Sequence, residues 1–353
     1  MRSLYDISWQ VDEPTYRADS ALSQSAIAKY KREGFTGLPH LFDKISTPSL
    51  TFGSAVDCLI TDSEEEFHKR FYITDVKTTE SGEIICNNLI NYCKENSKPI
   101  PQSLTMYPED ILNKIAKESG FWQADKWDKI RAKKALEIEN IEEFYNDIYN
   151  SEEKQIISNE TYRQVLKSVV ILKTSDATKF WFAPNNPFNT SFERFYQLKF
   201  KTTLYDVPLR GMLDLVCVNH KTKMIHPVDL KTSSHTEWDF GKSFLEWDYY
   251  IQAIIYTALL EDALSKDPYY KDFKVDNYRF IVVNRNTLTP LVWEFEDSHK
   301  REDLFYGRNN QIKLRNPFTL AQELYYYLTH QCSVPTTINQ TEKNSLTKIL
   351  KEL

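Results

Sequence analysis

The stretch GMLDLVCVNHKTKMIHPVDLKTS, residues 211–233, decides how this chain is read. Both halves alternate or run apolar at strand length, and His220–Lys223 between them is polar enough to turn, so the stretch predicts two strands joined by a turn. Asp214 lies between Leu213 and Leu215, and the period of two puts it on the face opposite those leucines. Asp229 and Lys231 are two apart and leave one face together, while Leu230 points into the other layer. A carboxylate in the middle of an apolar strand is unfavourable unless it is paired or bound to a cation.

Working outward, SFERFYQLKF and DVPLRGMLDLVCVN predict an antiparallel pair with TTLYD as its turn. Downstream, WDYYIQAIIYTALLED predicts a helix with Ile251, Ile254, Ile255, Ala258 and Leu259 as its buried stripe. NYRFIVVN and PLVWEFE predict a further strand pair, and 299–330 predicts C-terminal helices. Near the start, ALSQSAIAKYKRE (21–33) predicts a short helix capped by Ser23 or Ser25. Residues 50–60 place Phe52, Ala55, Val56, Leu59 and Ile60 on one helical stripe, with Asp57 at its border. The expected division is 1–62 as N-terminal helices of the core, 63–180 as a mostly helical insertion or accessory lobe, and 181–353 as core sheet and C-terminal helices. Within the insertion, helical patterns run over 109–119, 125–147 and 160–173.

Composition narrows the function. The chain has 353 residues, of which only 8 are glycine, and the nearest two are Gly34 and Gly37. No phosphate-cradling loop or dinucleotide fingerprint can be assembled from them, which sets aside P-loop and Rossmann enzymes. Five cysteines with no C-x-x-C pair argue against a zinc cage or a disulfide framework and read as buried thiols. No apolar run approaches the roughly 20 residues that span a bilayer, and the N-terminus has no signal-peptide core, so a cytoplasmic protein without a membrane partner is expected. The net charge of −6 gives no bulk attraction for nucleic acid. A polyanion would have to be met by local basic groups or bound divalent cations. The run Lys126, Lys129, Arg131, Lys133 and Lys134 is one such group, although charge runs on helices are usually solvated faces.

Asp57, Asp214, Asp229 and Lys231 together are three carboxylates and a lysine, the ingredients of a hard-cation site for Mg²⁺ or Mn²⁺. Such a site suits phosphodiester hydrolysis, with Lys231 orienting water or stabilising transition-state charge.

The ordered set Gly53-x-x-x-Asp57, Gly211-x-x-Asp214, Asp229-x-Lys231-Thr232 and Gln252-x-x-x-Tyr256 resembles the PD-(D/E)xK nuclease superfamily. The branch it is similar to is that of the phage and prophage exonucleases of the RecE and lambda-exonuclease kind, related to the RecB nuclease domain. The resemblance covers 50–62 and 190–300. It implies an α/β fold, a restriction-endonuclease-like core with a mixed central sheet flanked by helices. It also implies that Asp214, Asp229 and the Leu230 carbonyl hold metal, with Lys231 as the catalytic lysine and Gln252 and Tyr256 as helix residues reaching the site or the DNA backbone. Asp57 falls where RecB-like members have histidine and lambda exonuclease has glutamate, and would contribute to a second ion. Ser25 matches a position near the DNA 5′-phosphate pocket. The implied activity is Mg²⁺-dependent deoxyribonuclease, a 5′-to-3′ exonuclease on linear duplex ends in recombination or DNA processing. A homo-oligomer and a single-strand annealing protein are the implied partners besides DNA, in a bacterial or phage-infected cytoplasm. An endonuclease or single-strand nuclease of the same fold, and an inactive nucleic-acid-binding relative, are the competing readings. A glutamate near the place of Glu193 is common in RecB-like members, and a cross-strand pair with Arg210 or Lys201 would explain it as well.

Overall fold

The computed structural model describes residues 2–43, 47–151, 154–236, 239–296, 305 and 314–330. The chain divides into two compact units, Met1–Asp62 together with Leu166–Leu353, and Ser63–Val165.

In chain order the first unit opens with α1 (Glu13–Ala18), β1 (Leu22–Ser23), α2 (Gln24–Glu33) and α3 (Pro48–Thr61). Ser23 caps α2 by accepting from the Ala26 amide at 3.3 Å, and Thr47 caps α3 by accepting from the Leu50 amide at 3.2 Å, with Pro48 in the first turn. On α3 the buried residues are Phe52, Ala55, Val56, Cys58 and Ile60, while Leu59 is half-buried.

The second unit holds α4 (Glu64–Arg70), β2 (Phe71–Ile73), α5 (Glu80–Glu95), α6 (Glu109–Glu118), α7 (Arg131–Leu136), α8 (Ile141–Asn150), β3 (Gln155–Ile157) and the first half of α9 (Asn159–Thr174). Its core gathers Ile85, Leu89, Leu112, Ile115 and Tyr145, and β2 pairs parallel with β3. The pattern over 125–147 predicts one helix, but the chain makes a 3-10 turn at Asp125–Trp127, then α7, then a left-handed Asn140 (φ 54°) before α8. Asn tolerates that conformation better than most residues, so the break is made without glycine or proline to announce it.

The first unit resumes with β4 (Phe192–Leu204), β5 (Val207–Asn219), β6 (Met224–Ser233), α10 (Phe240–Glu246), α11 (Tyr249–Ser265), β7 (Lys274–Val275), β8 (Tyr278–Asn284), β9 (Pro290–Phe295) and α12 (Pro317–His330). The β4–β5 turn is tighter than TTLYD. Thr202, Thr203 and Leu204 are in the strand ladder, and Tyr205 and Asp206 alone turn the chain, both at positive φ (50° and 63°), as a two-residue hairpin requires. The helical expectation for 299–330 is met at α12, and most of 297–313 lies outside the described residues.

Seven strands form one mixed sheet in the order β1-β5-β6-β8-β9, with β4 on β5 and β7 on β6. Pairs β4–β5, β5–β6 and β8–β9 are antiparallel, while β1–β5, β6–β7 and β6–β8 are parallel. Helices flank the sheet. α11 is buried nearly all round because it packs on β4 and β5 and is also in contact with α2 and α12. Such burial is why its sequence is apolar on every side rather than striped. Tyr30 of α2 donates to Glu323 of α12 at 2.9 Å. Among the described residues, no helix is long and apolar enough to cross a membrane. Cys58, Cys86, Cys93 and Cys217 are buried and not joined in disulfides, and Cys332 lies outside the described residues.

Candidate active site

β5 has three strand neighbours, which two edges can accommodate only if one edge is shared. β4 runs along one edge. On the other, β6 covers Leu215–Asn219 and β1 covers Leu209–Arg210, leaving Gly211–Asp214 between them. The β5–β6 ladder stops at Leu215↔Val228, so Asp214 and Asp229 are the first residues past the point where the strands part. The Leu230 amide donates to Asp214 Oδ2 at 2.9 Å, so a carboxylate replaces the backbone acceptor that the parted strand no longer offers.

Asp229 is 1% exposed. Its Oδ2 lies 2.7 Å from Lys231 Nζ, and its Oδ1 accepts from the Gln252 side-chain amide. Lys231 also donates to Gln252 Oε1 at 3.2 Å and lies 4.9 Å from the Tyr249 ring centroid. Gln252 therefore bridges acid and lysine, one end of its amide on each, with the buried Tyr278 close by. Burial alone would lower the Lys231 pKa, but Asp229, Tyr249 and Asp214 outweigh it and hold the ammonium above its usual range. The Asp214 carboxyl is shifted upward as well, which for an acid favours the neutral form: burial, then the charges of Asp229 and Asp57, push it well above the usual carboxylate range, against the pull of Lys231 and the Leu230 amide.

Two glycines let the helices approach. A Cβ on Gly211 would come within 2.8 Å of the Tyr256 ring and Leu259, so α11 seats directly on β5 there. On α3, a Cβ on Gly53 would stand 3.1 Å from Thr232 Oγ1, which brings α3 against the end of β6 and Asp57 toward Asp214. Asp57 Oδ2 accepts from Gln197 Nε2 at 3.1 Å, and that same amide donates to Thr61. Gln197 stands opposite Asp214, between the pairs Tyr196↔Leu215 and Leu198↔Leu213, and has φ 51° in mid-strand. Nothing in the sequence marks it. Its only signal is a backbone outlier beside a half-buried carboxylate, a form of strain found disproportionately at functional sites.

Of the sequence-derived residues, the structure brings Asp57, Asp214, Asp229, Leu230, Lys231 and Gln252 into one neighbourhood. Tyr256 is buried with its ring on Gly211, where burial pushes its hydroxyl well above the usual range. Ser25 is exposed on the first turn of α2 and bonded to Ser23 Oγ at 2.8 Å. Its bond is within the cap, and Ser23 is the capping residue. Glu193 pairs with His220 at 2.6 Å rather than with Arg210 or Lys201. Lys201 instead binds Asp19, and Arg210 donates to the carbonyls of Tyr16 and Ala21. In the basic run, Arg131 is buried on Asp128 and Trp122, while Lys126 and Lys134 each lie 5.0 Å from the Trp127 ring centroid.

The donors at the parted strands are oxygen only and mutually repulsive, a set that fits a hard divalent cation. Among the described residues, no group of three or more His, Cys, Asp or Glu side chains stands in a metal-holding arrangement. Asp214 feels the charges of Asp229 and Asp57.

No protein-family model matches the chain, and no curated protein matches it. Among solved structures it is similar to a protein named "putative exonuclease" from Eubacterium rectale, 9% identical over 95% of this chain and 98% of that one, with a TM-score of 0.42. It is also similar to protein VC1899 from Vibrio cholerae, 12% identical over 82% of this chain and 57% of that one, with a TM-score of 0.16.

Proposed function

We propose that the chain is a metal-dependent deoxyribonuclease of the PD-(D/E)xK kind, an exonuclease that degrades linear duplex DNA from 5′ ends. One observation supports this above the rest: two acidic side chains and a lysine converge where β5 and β6 part, with Gln252 bonded to Asp229 and Lys231 and the Leu230 amide bonded to Asp214. A buried group of this composition is costly for stability, which makes a structural role a poor account of it.

In this reading Asp214, Asp229 and the Leu230 carbonyl hold Mg²⁺ or Mn²⁺, and Asp57 contributes to a second ion. Bound there, the cation would supply Lewis acidity and an acidified water. The protein groups do the rest. Lys231, fixed by Asp229 and Gln252, presents a preorganised ammonium to the charge that grows on the phosphate in the transition state. Gln252 keeps that ammonium and the Asp229 carboxylate in register, and Gln197 turns Asp57 toward the group. The reading also carries a homo-oligomer around DNA, a single-strand annealing protein as partner and a cytoplasmic setting.

The test is incubation of the protein and of Asp229→Ala with 5′-labelled and 3′-labelled linear duplex and with a closed circle, in Mg²⁺ and in EDTA. Early release of the 5′ label, an intact circle and an inactive variant are expected. A cut circle would turn the reading to an endonuclease, and DNA left whole in every divalent metal would remove the enzyme.

A further inference from the structure

Tyr249, whose ring meets Lys231, is one end of a short surface feature that the cleavage chemistry does not use. The chain leaves α10 at Trp247 and enters α11 through Asp248, which is left-handed at φ 58° and only 1% exposed. Asp248 is held by two cations from α2: Lys31 Nζ at 2.6 Å and Arg32 Nη1 at 3.7 Å. A non-glycine residue in that conformation is unfavourable, and the buried ion pair keeps it there. The corner is thus built, and it sends its two aromatic neighbours in different directions. Tyr249 lies half-buried with its ring on Lys231. Trp247 is 50% exposed, with the Arg32 guanidinium 5.8 Å from its ring centroid. Arg32 itself is 36% exposed, and its charge reaches Tyr249 as well. From solvent to the buried acid the order is Trp247, Arg32, Tyr249, Lys231, Asp229.

We propose that Trp247 and Arg32 form a nucleotide subsite that receives a single-stranded stretch of DNA, such as a frayed end, beside the Lys231 centre. The inference rests on the nuclease reading above. Trp247 offers its half-exposed ring to a base, and Arg32 offers a guanidinium to the adjoining phosphate. Aromatic stacking with a neighbouring cation is the chemistry that binds single strands without regard to sequence. It also answers the charge problem of an acidic chain, which must meet a polyanion through local groups. A protein partner is the other occupant that an exposed tryptophan suggests. The arginine on its ring and the path to the lysine favour nucleic acid.

The test is fluorescence titration with a short oligothymidylate in EDTA, where cleavage cannot occur, for the wild type, Trp247→Ala, Trp247→Phe and Arg32→Gln. Stacking on Trp247 should quench fluorescence that Trp247→Phe lacks. Trp247→Ala should bind between about five- and a hundred-fold more weakly, with Trp247→Phe retaining most of the affinity. Arg32→Gln should flatten the salt dependence by about 0.7 in log–log slope, the share of one phosphate on a single strand. With Mg²⁺ added, KM for the oligonucleotide should rise in Trp247→Ala. If Trp247→Ala binds oligothymidylate like the wild type and Arg32→Gln keeps the full salt slope, the subsite does not exist. If Trp247→Phe loses as much as the alanine variant and both melt lower, the residue serves the corner alone and the proposal fails. Failure of the nuclease reading looks different: the wild type leaves all phosphodiesters intact in every divalent metal, whatever the titration shows.

Discussion

Lys231→Ala and Asp229→Asn should both abolish cleavage, yet shift stability in different ways. Lys231 is the cation on a buried acid, 2.7 Å from Asp229, with Asp214 and Asp57 adding negative charge nearby. Removing one partner of a buried ion pair typically costs about 3–5 kcal/mol, because the remaining charge is left uncompensated. The Lys231 side chain is 21% exposed, so water screens part of that, and we expect a loss of about 2–3 kcal/mol. For a unit of this size, Tm should fall by about 4–12 °C. Asp229→Asn also takes a partner from Lys231, but it removes the charge that repels Asp214, so Asp214 can ionise and serve as the counter-charge; its stability in EDTA should therefore stay within about 1 kcal/mol of the wild type. The pH profiles should separate the two further. Asp214 keeps its proton in the folded state at a pH where the unfolded chain, with a carboxyl pKa near roughly 4, has lost it. The unfolded state then binds fewer protons, so metal-free stability falls as pH rises from about 4 through the raised pKa. In Asp229→Asn that fall should be shallower, because the largest like charge on Asp214 is gone. Thermal melts in EDTA between about pH 4 and 8, with linear duplex as the activity substrate, decide the matter. Asp229→Asn melting as low as Lys231→Ala, with an unchanged pH slope, would refute the reasoning.

Other consequences are open to simple tests. Gln197→Gly should relieve the left-handed strain and raise metal-free stability by up to about 1 kcal/mol, yet weaken the response to Mg²⁺, as read by melts with and without the ion. Gly211→Ala should push Tyr256 and Leu259 off β5, costing about 1–3 kcal/mol by overpacking and lowering activity through displacement of Gln252 one turn away on α11; full activity in a destabilised variant would show that the helix seat does not set the site. Mg²⁺ at about a hundred times its Kd should stabilise the wild type by about 2.7 kcal/mol and Asp229→Ala by much less, measured as a shift in Tm. Ser23→Ala should cost about 1 kcal/mol as loss of a cap, while Ser25→Ala should stay within about 0.5 kcal/mol in urea unfolding.

Regular elements were legible because burial imposes a period. The alternation around Asp214 and the pairing of Asp229 with Lys231 placed both on strands, and α11 was readable from length and apolarity even though its stripe is really a full coat. What escaped was geometry without periodicity. Two residues of β1 suffice to share the β5 edge, too few to leave a pattern. Gln197, Asn140 and Asp248 hold left-handed backbone where glycine would have been the warning, so turns and strain passed unseen. Trp247 sits at a corner between two helices and belongs to neither face. Glu193 was open to several partners because strand spacing fixes neighbours within a ladder, whereas His220 comes from the turn beyond it.

The unit that carries the site is discontinuous, and this bears on how an active molecule comes into being. The ribosome delivers α3 with Asp57 first, then the whole of Ser63–Val165, and only later the strands bearing Asp214 and Asp229 and the helix bearing Gln252. Ser63–Val165 has its own core and can collapse on local contacts, whereas α3 must wait for partners far along the chain. Loop closure over that span is slow. Synthesis should therefore yield a folded interior segment well before the site exists, with its residues brought together only after α11 has emerged.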